Sequence, residues 1–324
     1  MEATRKPVGE LLDAVPRQPK IKRSAYQESG FYPIVDQSQA NIAGYTDDKS
    51  WLYHGELPVV VFGDHTRVLK FVDFPFCVGA DGTQLLRPVA GIDIRYFYYA
   101  LRNVDLRNYG YERHFKYLKE KEITAPPLPI QRRIAAILSA YDELIENSQR
   151  RIKILEAMAR ALYCEWFVHF RFPGHESVPR VPSPLGEIPK GWEVKKLGEL
   201  IADHIGGGWG KDNADEDHTQ PAWVIRGTDI PSARSSQVKS VPYRFHTTSN
   251  LRSRTLAAGD ILFEVSGGSK GQPVGRTLLI TPELLSALDG DVICASFCKR
   301  VRPNAKAYGS ELLYLSFLEG YESG

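Results

Sequence analysis

Apolar residues in the middle of the chain fall at Ile134, Ile137, Tyr141, Leu144, Ile152, Leu155, Leu162 and Trp166, close to an alternation of three and four. That spacing predicts a long helix with a narrow apolar seam rather than a broad core-facing side. Ser148 and Arg151 interrupt the seam. Three prolines crowd its start in "APPLPIQRRIAAIL", Ala125 to Leu138. A proline in the first helical turn lacks only an N–H that would have no helical partner anyway, so it starts a helix without harm. From Pro129 to Phe170 the helix would run roughly 60 Å at 1.5 Å per residue. The proline-rich "FPGHESVPRVPSPLGEIPKGW" that follows cannot extend it. In water such a seam calls for a partner helix, from this chain or another.

On both sides of the helix the pattern changes. "PVVVF", "RVLKFV", "DILFEV" and "RTLLI" are short β-branched or aromatic runs broken by Gly, Asp and Pro, which reads as strands and tight loops. "DIRYFYYALRN" and "SELLYLSFLEG" recur at three and four and read as helices whose aromatic residues pack in a core. These signals come twice, in the same order. "PVGELLDAV" (Pro7 to Val15) returns as "KLGELIADH" (Lys196 to His204), and "FYPIVDQSQ" (Phe31 to Gln39) as "PAWVIRGTD" (Pro221 to Asp229). The runs His54 to Val72 and Leu85 to Leu101 parallel Ala258 to Ile280 and Lys299 to Leu318. The expectation is an α+β protein: two similar domains, each a small curved sheet or barrel with peripheral helices, separated by a long coiled-coil-type helix. A stiff rod between two such domains suits an elongated target with two recognition sites.

The chain has 324 residues, enough for two ordinary domains, with 43% hydrophobic and 25% charged residues. A net charge of +2 neither demands nor excludes a nucleic-acid partner, so any case for DNA must come from local arrangement. The four cysteines include one close pair, Cys294 and Cys298 in "CASFC", whose spacing matches neither a zinc knuckle nor a redox CxxC. In a strand, positions four apart share a face, which predicts two buried small side chains. The amino terminus has no apolar leader and no run approaches the length of a membrane span, so a cytoplasmic protein is expected.

The stretch "PPLPIQRRIAAIL…LIENSQRRIKILEAMARALYCEWFVHF" resembles the central region of the specificity (S) subunits of type I restriction–modification systems. "PLGEIPKGWEVKKLGELI" resembles the entry into their second target-recognition domain, with Pro126, Pro127, Leu128, Gln131, Ile134, the "EAMARALY" run and Gly191-Trp192 where that pattern has them. The first half opens instead with "KPVGELL". The resemblance implies a first target-recognition domain over 1–125, a spacer helix over 126–170, a proline-rich linker over 171–190 and a second, incomplete recognition domain over 191–324. It implies a non-catalytic subunit that reads a split sequence in double-stranded DNA. Methyltransferase (M) subunits would dock on the helix and the restriction (R) subunit would join through them. No cofactor belongs to this chain on that reading; the methyl donor, ATP and Mg are expected only in the partner subunits. A complete member would carry a second proline-led helix, whereas this sequence ends at "FLEGYESG". The seam residues would then find their companion in a second copy or a separately encoded half-subunit. A truncated member acting as a helical assembly scaffold is the alternative.

DNA contacts need polar side chains on loops that enter a groove, with Gly letting backbone approach phosphate. In the first half "VDQSQANIAGY" and "FGDHTRVLK" offer Gln37, Gln39, Asn41, His65, Thr66, Arg67 and Lys70. In the second, "HIGGGWGKDNADEDH" offers Trp209 and Lys211, "VIRGTD" offers Arg226 and Thr228, and "VSGGSKGQPVGR" offers Ser269, Lys270, Gln272 and Arg276. Ordinary solvated turns use the same residues. The acidic "DNADEDH" is a poor neighbour for phosphate and is expected to face away from DNA. Enzyme readings fare worse. "IGGGWGKD" has Ile205 and Asp212 where a phosphate loop needs Gly and Ser or Thr. "EVK" at Glu193 to Lys195 matches the E-x-K of a Mg-dependent nuclease, but sits beside the proline-rich linker instead of in a strand pair. His169 and His175 flank the helix end with no further metal ligands beside them, so no metal site is expected.

Overall fold

The computed structural model describes residues 4–107, 112–267, 273–304 and 308–322. Its contacts divide the chain into two compact units, Met1–Arg151 and Ile152–Gly324.

In the first unit the strands are β1 (Thr4–Pro7), β2 (Leu12–Asp13), β3 (Tyr32–Val35), β4 (Gly44–Thr46), β5 (Val59–Gly63), β6 (Leu69–Val72), β7 (Cys77–Val78) and β8 (Thr83–Pro88). Helices α1 (Ile94–Arg102) and α2 (Phe115–Glu120) and strand β9 (Glu122–Ala125) follow, and then α3 (Leu128–Tyr163), which runs on into the second unit from Ile152. One sheet has the order β2-β8-β5-β6 and a second the order β4-β3-β7, with β3 and β7 parallel. β1 pairs with β9. The run "VVVF" in β5 is apolar throughout because both of its faces are covered. Val59 and Val61 pack with Val35, Val72, Phe76 and Val78 between the two sheets. Val60 and Phe62 point the other way, onto Phe97 and Leu101 of α1 and Leu118 of α2.

In the second unit the end of α3 is followed by the hairpin β10 (Arg180–Ser183) and β11 (Gly186–Pro189), then α4 (Leu197–Leu200) and β12 (Ile201–Gly206). The unit continues through β13 (Gln220–Ile225), α5 (Ile230–Ala233), β14 (Tyr243–His246), α6 (Thr248–Arg254), β15 (Ile261–Glu264) and β16 (Thr277–Leu279). α7 (Pro282–Leu288), β17 (Val292–Cys294), β18 (Cys298–Pro303) and α8 (Ser310–Glu322) complete it. Its sheets run β12-β18-β15-β16 and β14-β13-β17, with β13 and β17 parallel. Strand for strand these two sheets repeat the first unit's four-stranded and three-stranded sheets. β15 alternates as β5 does: Leu262 faces Ile225 and Cys294 of the three-stranded sheet, and Ile261 faces Leu313 of α8. The repeat read in the sequence is a repeat of topology.

Helix α3 spans 36 residues, about 54 Å at 1.5 Å per residue, slightly less than the sequence pattern predicts. A π-helical turn at Cys164–Val168 follows, and Phe170 ends it with a left-handed φ of 57°. The proline-rich connection is itself folded. Phe167, Phe170 and Phe172 surround Trp192 with ring centroids at 5.6, 5.3 and 5.7 Å. Cys294 and Cys298 are both buried, as expected, but they end β17 and begin β18 across a turn rather than sharing one strand. Burial pushes their thiols up to about 11 and about 12.

The helix start explains why the motif pairs prolines with a glutamine. Pro127 supplies the carbonyl for Ile130 and Gln131 N–H groups at 2.8 and 3.1 Å. The Gln131 side chain is buried and fully used. Its Oε1 accepts from the Asp93 N–H at 2.8 Å, and its Nε2 donates to the Gly91 and Pro126 carbonyls at 3.2 and 2.7 Å. Asp93 caps α1, accepting from the N–H groups of Arg95 and Tyr96 at 3.1 and 2.9 Å. One amide thus joins the first turn of α3 to the first turn of α1.

Candidate nucleic-acid interface

In the first unit the loop after β3 and the turn between β5 and β6 form one surface. The Gln37 side-chain carbonyl accepts from the His65 N–H at 3.1 Å, and the Thr66 hydroxyl donates to the Gln37 backbone carbonyl at 2.5 Å. Gln39, Asn41, Thr66 and Arg67 are exposed on it, with Gln37 and His65 half-buried among them. Arg67 takes a left-handed φ of 61° in the tight turn, and its guanidinium donates to the Leu106 carbonyl at 3.1 Å.

Lys70 corrects the sequence reading. It is buried, and its ammonium donates to the carbonyls of Asp36 at 2.7 Å and Ala40 at 2.5 Å, with the Asp36 carboxylate 4.0 Å away. It pins the 36–40 loop from beneath and is not presented to a phosphate. Burial pulls its pKa below the usual lysine range, against the opposing pull of Asp36. Behind the turn, Asp64 accepts from the Phe115 N–H at 2.8 Å and from Gln84 at 3.4 Å. Lys20 donates to the carbonyls of Asp81 at 3.0 Å and Thr83 at 2.7 Å. Sequence reasoning missed Lys20 and Gln84, because no local motif marks residues that only the fold brings to this turn.

The second unit distributes its candidates differently. Arg226 is committed to Asp229, with Nε and Nη2 at 2.8 and 2.9 Å from its carboxylate, and to the Ser240 carbonyl at 2.8 Å. Burial would push the Asp229 carboxyl up, yet the hydrogen bonds from Arg226 and Ser240 hold it below the usual range. Thr228 beside it is exposed. Arg276 is a further correction: it is buried against buried Glu264 in a paired bond of 2.8 and 2.6 Å. It ties the end of β15 to the start of β16 and is not free to read a base. Ser269, Lys270 and Gln272 lie outside the described residues.

The glycine-rich segment crosses the three-stranded sheet. Gly207 and Gly208 donate to the carbonyls of Cys298 and Cys294, each at 2.9 Å, and Lys211 exchanges backbone bonds of 2.9 Å with Phe245. The Lys211 ammonium lies 2.5 Å from Asp215. Trp209 is exposed, and buried Arg244 lies with its guanidinium carbon 4.3 Å from the indole centroid. Arg244 escaped sequence reasoning, since a lone arginine in "PYRFH" reads as the polar face of a strand.

Along α3, the seam residues Ile137, Tyr141, Leu144, Ile152, Leu155 and Leu162 are each between 44% and 63% exposed, while Ile134 and Trp166 are half-buried. Ile145 and Met158 widen the stripe beyond the narrow seam that the spacing predicts. Glu193 and Lys195 pair at 3.1 Å outside any strand. Among the described residues no group of three or more His, Cys, Asp or Glu side chains is placed to hold a metal, and no helix is long and apolar enough to cross a membrane.

Comparison with known proteins bears on the domain and the fold. Residues 3–157 match the model of the type I restriction modification DNA specificity domain. The type I restriction enzyme MjaIX specificity subunit of Methanocaldococcus jannaschii is 34% identical over 129 residues, 37% of this chain and 30% of that protein. The MjaVIII specificity subunit of the same organism is 36% identical over 86 residues, 26% of this chain and 20% of that protein. The matched part therefore spans about a third or less of the length of these relatives. A crystal structure of the S subunit of a type I restriction–modification system from M. genitalium covers 99% of this chain and 78% of its own, with a TM-score of 0.56 and 15% identity, a likeness of fold.

Proposed function

On the premise that residues 3–157 form a type I restriction modification DNA specificity domain, we propose that the chain is a non-catalytic recognition subunit that binds double-stranded DNA by sequence. The observation that carries this is the joining of two separate loops in that domain into one polar surface, through the Gln37 contacts to His65 and Thr66. Gln39 and Asn41 are of the type that pairs with adenine edges, and Arg67 of the type that pairs with guanine or phosphate. The second unit repeats the fold plan, so the target is split, one part read by each unit. Thr228 and Trp209 are the second unit's contacts, Lys211 being held by Asp215. The methyl donor, ATP and Mg belong to partner subunits.

The exposed stripe on α3 supports a second part of the reading. Apolar side chains spread along a helix of this length are covered by another helix in the working assembly. Methyltransferase subunits dock on this helical region, and the restriction subunit joins through them. A second copy or a separate half-subunit completes the helix pair.

Three measurements test the proposal. Duplex affinity should fall steeply with salt, as phosphate contacts require; a salt-insensitive affinity contradicts it. Co-expressed with a type I methyltransferase subunit, the chain should co-purify and direct methylation to one defined sequence. A complex without sequence selectivity would favour the helical scaffold instead, and cleavage of DNA by the purified chain with Mg alone would revive a nuclease.

A further inference from the structure

The segment Gly206 to Gly210 holds one large side chain at its apex. A Cβ on Gly207 would lie 2.2 Å from the carbonyl oxygens of Cys294 and Ala295, and one on Gly210, whose φ is 69°, would lie 2.5 Å from the Phe245 carbonyl oxygen. Backbone atoms cannot move aside as a side-chain tip can, so only glycine fits at either place. The chain is pressed onto the sheet on both sides of Trp209, which stands 40% exposed between them. The indole is also braced. Arg244 lies against the ring at 4.3 Å, donates through Nε to the Trp209 carbonyl at 2.7 Å and through Nη2 to the Gly210 carbonyl at 3.3 Å, and pairs with Asp212. A buried arginine with every bond spent on one exposed tryptophan and its loop is not an economy of core packing. It removes the rotamer freedom that the indole would otherwise lose on binding.

The surroundings select the ligand. Asp212, Asp215, Glu216 and Asp217 follow Trp209 in the chain and are exposed, with Asp212 paired to Arg244 and Asp215 to Lys211. Carboxylates in this segment disfavour a phosphate contact by the segment itself. A braced aromatic face without a neighbouring free cation suits a planar, uncharged partner, which on DNA is the face of a nucleobase.

We propose that Trp209 is a nucleobase-stacking wedge, which opens one step of the bound duplex and packs its indole against the exposed base, with Arg244 as its positioning residue. The proposal rests on the DNA-recognition reading above. It gives the second unit a way to recognise DNA by the ease of unstacking a step, without a hydrogen bond to a base edge.

The test uses the full chain and a duplex enriched by that chain from a random-sequence pool. 2-Aminopurine is placed at successive positions of the enriched duplex. Fluorescence should rise on binding at one step and stay low elsewhere. The rise should vanish with Trp209→Ala and survive in Trp209→Phe. Affinity should fall about 5- to 150-fold for the alanine variant and much less for phenylalanine. A signal flat at every position with the unmodified chain overturns the wedge, whatever the variants do. Tight binding by Trp209→Ala, within about twofold, overturns it too. Failure to enrich any duplex overturns the DNA reading and the wedge with it, whereas enrichment with a flat signal overturns the wedge alone.

Discussion

The two units share a sheet plan and differ in where each buries a cation. Counting back from Pro88 opposite Leu12 and from Pro303 opposite Ile201, the row Leu85–Val61–Lys70 in the first unit matches Arg300–Leu262–Leu278 in the second. The central residue is apolar in both. The cation sits on one side of it in the first unit and on the other side in the second. Lys70 reaches the carbonyls of Asp36 and Ala40 and ties down the loop after β3. Arg300 reaches the carbonyls of Ser253 and Thr255 at 3.0 and 3.1 Å and the Asp203 carboxylate, tying the end of α6 to β12. A similar inversion follows β3 and β13, where Asp36 and Arg226 occupy matching places with opposite charge. The backbone plan is common to the units, and the buried polar groups decide which loop each one holds rigid.

Moving a cation across that row gives the sharpest contrast. Leu278→Lys puts an ammonium in the core cluster of Ile225, Leu262 and Leu284, where a buried unpaired charge should cost about 4–5 kcal/mol. Lys70→Leu removes a charge from the matching place and leaves two carbonyls and Asp36 short of a partner, a loss of about 1–3 kcal/mol. Chemical denaturation of both variants checks the order; equal losses would mean that the units are not built alike.

Gln131→Ala strips the Asp93 N–H and the carbonyls of Gly91 and Pro126 of their partner in the first unit, and should cost about 2–4 kcal/mol. Amide exchange should locate that loss at the starts of α1 and α3. Arg67→Ala should leave stability nearly unchanged and weaken duplex binding by about 1–3 kcal/mol. If Arg67 meets phosphate, the loss is uniform across sequences and the salt slope drops by about one; if it meets a base, selectivity relaxes at one position.

The smallest effect belongs to the second unit alone. Burial, and then Arg244, His218 and Arg254, hold His246 below its ordinary value of 6.5. The folded unit keeps this ring neutral while the unfolded chain takes up a proton as pH falls below 6.5. Stability is therefore retained above 6.5 and declines as pH drops below it towards the folded-state value. The unfolding midpoint should fall in that window, and His246→Gln should flatten the slope.

Much of this is legible in the amino-acid sequence. The long helix announced itself through its prolines and its alternation of three and four, and β5 through four consecutive apolar residues. The repeat could be read because turn residues and apolar runs recur in order. What stayed hidden depends on three-dimensional neighbours. Lys70 and Arg276 look like loop cations in a linear pattern, and only the carbonyls and carboxylate they meet take them out of solvent. Arg244 looks like a strand's polar face until Trp209 is laid against it. The sequence pattern puts Cys294 and Cys298 in one strand because the turn between them, Ala295 to Phe297, carries neither glycine nor proline. Gln131 showed as part of a motif, but its three bonds to distant backbone could not be seen.

The loop surface around Gln37 is expected to read DNA bases. This is tested most directly by enriching duplexes from a random pool with the unmodified chain and with a chain carrying Gln39→Ala and Asn41→Ala. The expected result is one motif for the unmodified chain and, for the variant, the loss of base preference at one part of that motif with the rest retained. An unchanged motif in the variant, or no motif with either chain, would mean that this loop surface does not read bases.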